Sequence, residues 1–337
     1  MYLVLIAGLI LAFTSVASLF VGAIAISPWD AMEFLLRDAS GLTSTERTIL
    51  FELRLPRMIT AILVGSSLGI AGVGFQALFR NPLADPYIIG ASSGAALGVT
   101  IAIMVGWQAA LFGLRTTAVA ALLGSLLIVA IVMFIGSLSG RSNSLSLLLA
   151  GVALSSMINS IVSLLMFWSE EKIMVIFAWL MGSLANNGWP SIASTSLIAL
   201  IGLVILWGLS RPLDSYLLGD VASQSLGLNL AWFRLLLVAG ASIATGAAVS
   251  SAGIIGFVGL IAPHMARWTV GPKHVWQIPM SACYGAMILI SADAIARTIV
   301  APTELPVGSI TALMGCPFFL GLLLFRSRSS TVLGDAS

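Results

Sequence analysis

Long apolar runs, cut by short clusters of charge, organise this chain from end to end. A bilayer core of ~30 Å needs ~20 apolar residues in a helix, so charge-free intervals count membrane spans. Residues 2–26 predict the first. A charged segment from Asp30 to Arg57 follows, holding Glu33, Arg37, Asp38, Glu46, Arg47, Glu52 and Arg54, and is expected outside the bilayer. Residues 58–79, 87–108, 116–138 and 145–168 give the next four spans. The apolar piece from Ile173 to Ala185 is too short to cross; it ends at Asn186-Asn187-Gly188-Trp189-Pro190 and reads as an interfacial helix. A sixth span is expected at 191–209 and a seventh at 233–252. Gly253, Gly256, Gly259 and Pro263 interrupt residues 254–270, which predicts a short or broken span protected by its neighbours. Residues 276–297 and 308–325 complete about ten spans before the basic tail at Arg326 and Arg328.

Between the sixth and seventh spans lies the one long interior stretch that is neither continuously apolar nor a tight turn, Arg211 to Arg234. Small polar residues (Ser215, Ser223, Gln224, Ser225, Asn229) alternate there with Leu217, Leu218, Val221, Leu226 and Leu228. Gly219 and Gly227 allow sharp changes of direction. The pattern predicts one or two short amphipathic helices at the membrane surface, serving either as a plain connector or as a dock for a soluble partner.

Composition makes the class plain. Hydrophobic residues fill 59% of the 337 positions and charged residues only 8%, against about 25% charge in a soluble domain. The chain is an all-α integral membrane protein of the lipid bilayer. A net charge of +2 is too small to point to nucleic acid. Cys283 and Cys316 sit in apolar runs and suggest neither a ligand set nor a disulfide framework. Lysines and arginines divide almost evenly between alternate loops, so charge alone barely orients the chain. Trp29, Trp107, Trp168, Trp179 and Trp189 fall near span ends on one side, where indole rings favour the interface. Small residues at helical spacing, as in Gly65-Ser66-Ser67-Leu68-Gly69 and from Gly240 to Gly253, predict close helix packing.

Chemistry of its own is not expected. The two lysines, Lys172 and Lys273, follow no phosphate-binding glycine loop, so no nucleotide is hydrolysed by that route. His264 and His274 form no metal cluster with nearby Cys or Glu, and no catalytic residue is assigned. The acids lie near span ends, which leaves no mid-span carboxylate for a proton relay. A transporter built this way borrows its energy; the alternative is a stand-alone ion-coupled secondary transporter.

Several stretches, taken together and in order, resemble the membrane permeases of type II ABC importers, which carry iron-siderophores, haem, cobalamin and related chelates. They include Leu53-Arg54-Leu55-Pro56-Arg57, Arg80-Asn81-Pro82-Leu83-Ala84-Asp85-Pro86, Leu149 to Leu154, Trp179 to Leu184 and Leu218-Gly219-Asp220. The second half adds Gly256 to His264, Ala292-Asp293, Ala296-Arg297 and Glu304-Leu305-Pro306-Val307-Gly308. The resemblance implies one transmembrane permease domain over 1–337. A first half of about 1–210, a cytoplasmic coupling loop at 211–230 and a second half at 231–328 would form an inverted pair of helix bundles. It implies a homodimer in the bacterial cytoplasmic (inner) membrane, with both termini cytoplasmic. Two ABC ATPase subunits that bind ATP-Mg and an extracytoplasmic substrate-binding protein would serve it, and this chain itself would hold no cofactor. An iron-siderophore or haem is the expected cargo, with cobalamin next.

The same resemblance assigns roles residue by residue. Arg54, Arg57 and Arg297 would receive carboxylates of the binding protein, although Arg297 is also spaced to pair with Asp293 on one helix, and Arg54 and Arg57 to anchor near Glu52. Leu218, Gly219, Asp220, Ala222, Ser223, Gln224, Leu226 and Gly227 would couple to the ATPase. Asn81, Leu83, Ser142, Asn143 and Ser144 would form the inner gate. The pathway walls are expected from the fifth and tenth spans.

Overall fold

The computed structural model describes residues 2–22, 24, 26–29, 43–107, 110–111, 114–138, 144–185 and 187–334. The helices are α1 (Tyr2–Phe20), α2 (Ser44–Thr48), α3 (Leu55–Leu78), α4 (Ala91–Val105), α5 (Thr116–Leu138), α6 (Ser144–Trp168) and α7 (Ile173–Leu180). The order continues with α8 (Trp189–Gly208), α9 (Ser210–Tyr216), α10 (Asp220–Ser225), α11 (Leu230–Ala252), α12 (Val258–Val270), α13 (His274–Thr298) and α14 (Val307–Gly334). Among the described residues the only extended pairing is a two-residue hairpin, Ala110–Leu111 against Leu114–Arg115.

Seven of these stretches are long and apolar enough to cross a membrane, and two shorter apolar helices, Ala91–Val105 and Val307–Gly321, stand where further spans were expected. Segments α3 and α11 form the enclosed centre, each 72% buried over its most apolar window, against 17% for α1. The α3 and α13 backbones touch. A Cβ placed on Gly65 would lie 2.3 Å from the carbonyl oxygen of Gly285, and one on Gly285 would lie 2.1 Å from that of Gly65. Gly69 meets the Ser281 carbonyl in the same way. Gly94 and Gly98 bring α4 against Gly124 and Ala120 of α5. Small residues thus set packing distance in this interior, as the spacing predicts.

The structure corrects the sequence expectations in three places, and it bears out the short, broken span at 254–270. The first helix stops at Phe20, short of residue 26. From Ser44 onward the charged segment is helical and runs through a π-turn (Ile49–Arg54) into α3. A reciprocal capping box between Thr43 and Glu46 satisfies the first free amides of this helix. In 254–270 the break falls at Gly253 (φ 72°) and Phe257 (φ 68°), ahead of α12. Gly259 and Pro263 lie within that helix, where Gly259 admits Pro86 of the 79–90 turn. Trp179 leaves the expected belt and packs inward beside Ala95, Val99, Ala121 and Val249.

Candidate functional site

Two polar clusters sit at opposite ends of the helices. At the first, the three arginines expected at a surface are enclosed, with 7%, 8% and 8% of Arg54, Arg57 and Arg297 exposed. Arg57 donates from Nε to Asp293 (2.8 Å) and from one terminal nitrogen to both oxygens of Glu304 (2.8 and 2.9 Å). Arg297 pairs with Asp293 at 3.0 Å, the i, i+4 contact of α13, and donates to the carbonyls of Ser18 and Val21. Arg54 donates to the carbonyls of Leu19 and Ile24. The anchoring partner is therefore not Glu52. The cluster ties the end of α1, the start of α3 and the end of α13 together, and Glu304 is its half-exposed member (43%).

The second cluster lies between α8 and α11, where the predicted pair of short helices forms. Gly219 (φ 105°) separates α9 from α10, and Gly227 (φ 84°) ends α10. Positive φ is nearly free for glycine and costly for other residues, so both turns are where the sequence places them. Asn229 then caps α11, its side-chain oxygen accepting from the amides of Ala231 and Trp232. One face is buried. Leu213 and Tyr216 of α9 are fully enclosed, and Ser223 donates to the carbonyls of Ser215 and Gly219. The opposite face presents Leu218, Val221 (80% exposed), Gln224, Ser225 and Leu226, with Ala222 partly covered.

Asp220 opens α10 and faces two arginines. Arg80 reaches one oxygen at 2.6 Å and Arg234 the other at 2.7 Å. Burial raises the cost of the Asp220 charge, but the hydrogen bonds and charges of Arg80 and Arg234 together outweigh it and hold its pKa below the ordinary aspartate value. The stability this supplies is full above the ordinary aspartate pKa of about 3.9 and is lost only as pH falls through the lower folded value. The carboxylate stays charged through the neutral range. In the neighbouring 79–90 turn, Asn81 accepts the amide of Leu83 at 2.9 Å, which makes the turn a compact stop after α3. Burial pushes Asp85 up to about 6, against the lowering effect of the Tyr87 amide. A third contact joins His274, at the start of α13, to Asp214 of α9 (2.6 Å).

Along the membrane helix α6, Ser156, Asn159, Ser160 and Ser163 stand exposed at i, i+3, i+4 and i+7. That spacing makes one polar stripe. The hydroxyls of Ser156, Ser160 and Ser163 donate back to the carbonyls of Val152, Ser156 and Asn159.

The FecCD transport family matches residues 10–326, nearly the whole chain. This chain belongs to the FecCD transport family. Its FecCD relatives include the cobalamin import system permease protein BtuC of Halobacterium salinarum, 39% identical over 301 residues (89% of this chain and 80% of that one). The hemin transport system permease protein HmuU of Yersinia pestis is 40% identical over 278 residues (82% and 83%). A solved metal-chelate type ABC transporter, in an inward-facing conformation, superposes on 96% of this FecCD chain and 99% of its own with a TM-score of 0.84 at 33% identity.

Against this frame, the expected residues of the FecCD chain fall into three groups. Arg54, Arg57 and Arg297 converge, but on acids and carbonyls of the chain itself. Leu218, Gly219, Asp220, Ala222, Ser223, Gln224, Leu226 and Gly227 build one short helix and its two turns, with Ser223 facing inward. Asn81 and Leu83 share a turn, Ser144 begins α6, and Ser142 and Asn143 lie outside the described residues. Sequence reasoning missed Glu304, the Arg80–Asp220–Arg234 grouping and the α6 stripe. For the stripe a signal existed in the helical spacing of its polar residues.

Proposed function

We propose that this chain, a permease subunit of an ABC importer, works as a homodimer carrying a metal chelate of the haem, iron-siderophore or cobalamin class. Two separate ATPases would dock at α10, and a binding protein would deliver cargo at the pole of Arg57 and Arg297. The observation that carries this reading is the FecCD match over residues 10–326, together with a short helix whose outer face exposes Leu218, Val221 and Leu226 beside Gln224 and Ser225. The relatives named for cobalamin and hemin support the cargo class, and the α6 stripe supports a polar, uncharged pathway between two copies.

Docking through Arg54, Arg57 and Arg297 is part of the proposal. Arg57 is bound to Glu304, so an incoming carboxylate would take that exposed partner's place. Charge pairing of this sort speeds encounter and fixes register. The gate is proposed at the Asn81–Leu83 turn with Ser142, Asn143 and Ser144.

Reconstitution tests the whole reading. Vesicles containing the chain, its ATPase and Mg-ATP should take up haemin, a ferric siderophore or cyanocobalamin from a charged binding protein. Omission of either the ATPase or ATP should abolish uptake. Uptake that persists without the ATPase and follows an ion gradient would establish the secondary-transporter alternative instead.

A further inference from the structure

The Asp220 cluster does more than anchor a loop. Its two carboxylate oxygens take guanidinium groups from two separate elements. Arg80 comes from the turn after α3, and Arg234 from the first turns of α11. Arg80 also donates to the Tyr216 carbonyl at 2.9 Å and lies 4.3 Å over the Tyr216 ring. Tyr216 is fully buried, accepts from Arg234 Nε at 3.3 Å and donates to the Leu78 carbonyl at 3.3 Å. Leu78 is the last residue of α3, and Arg80 adopts φ 47°, a conformation that side chains other than glycine rarely hold. The backbone at Arg80 is therefore bent into a costly shape in which its side chain reaches α9 and α10. The turn carrying Asn81 and Leu83 follows directly.

We propose that Asp220 is the pin of an ionic clasp that links α10 mechanically to the Arg80–Leu83 turn, so that displacement of α10 is passed to that turn through Arg80 and Tyr216. The inference rests on the reading of α10 as the ATPase dock, and Asp220 and Arg80 are its positioning residues. At 44% side-chain exposure Asp220 can exchange an arginine for water, so the clasp can open without unfolding its neighbours. Links of this kind shift between discrete arrangements when both ends are packed.

Hydrogen exchange on the isolated chain in lipid nanodiscs tests the clasp with no ATPase present. Asp220→Asn and Arg80→Met should each speed exchange at least tenfold in both 79–84 and 217–226, and the double variant should add nothing to either single one. Amides of Gly65–Leu78 should keep their wild-type rate. Arg80→Lys, which keeps the charge but loses the planar guanidinium lying over the Tyr216 ring, should give an intermediate effect. If Asp220→Asn loosens 217–226 while 79–84 exchanges at the wild-type rate, the two segments are not joined and the proposal is wrong. General loosening that includes Gly65–Leu78 in every variant, Arg80→Lys among them, would likewise overturn it in favour of a purely structural role. Addition of ATPase with Mg-ATP should then change exchange at 79–84 in the wild type and not in Asp220→Asn. A wild type that does not respond refutes the ATP-driven reading while leaving the clasp intact.

Discussion

Asp293 is 2% exposed and is held by Arg57 and Arg297 at once. Enclosed charges are costly unless paired, and removing one partner strands the others. Asp293→Asn should therefore destabilise the protein by about 3–5 kcal/mol, read as a large drop in melting temperature and in yield of folded protein. Glu304 touches the same Arg57 from a half-exposed site, where an ion pair contributes at most about 1 kcal/mol. Glu304→Gln should leave the melting temperature nearly unchanged. By freeing Arg57 it should also tighten binding-protein docking several-fold at low salt. A weaker complex would remove Arg57 from the docking surface. Little of this was legible in the chain. The four-residue spacing from Asp293 to Arg297 announces one pair, but nothing local joins Arg57 to a carboxylate 247 positions away.

Helices were the readable level, because each needs only its own run of residues to declare itself. The two turns at Gly219 and Gly227 and the interruption after Ala252 follow from composition within a few positions. What composition could not give was the use of each glycine. Gly259 looks like a breaker in sequence and serves instead as the surface against which Pro86 packs. Gly65 is the sharper case, since its neighbour is another backbone. Gly65→Ala should force α3 and α13 apart and cost at least ~1–3 kcal/mol by overpacking. Gly8→Ala, with nothing within 4 Å of the added carbon, should be neutral or slightly stabilising. Thermal melts of the two variants side by side make the comparison; equal midpoints would mean that the α3–α13 approach tolerates a methyl group.

At the scale of the whole molecule, the pathway wall proposed at the α6 stripe can be told from a lipid-facing side by chemical labelling. Ser156, Ser160 and Ser163, each changed to Cys in a Cys283→Ser/Cys316→Ser background, should react with a water-soluble thiol reagent in sealed vesicles. Leu197→Cys and Leu200→Cys on α8, exposed among apolar neighbours, should not. Equal protection at all five positions would place α6 against lipid. The stripe escaped sequence reading because a hydropathy average over the span hides four small polar residues, although their spacing was plain. Its hydroxyls have a further consequence. Each is already occupied by a carbonyl of its own helix, so along the proposed wall an oxygen-rich cargo would find a side-chain donor in this stripe only at the Asn159 amide. As a pathway wall, such a lining would behave as a lubricant: short dwell times, little discrimination, and a cargo range that could be retargeted by exchanging the delivery protein while this chain stays as it is.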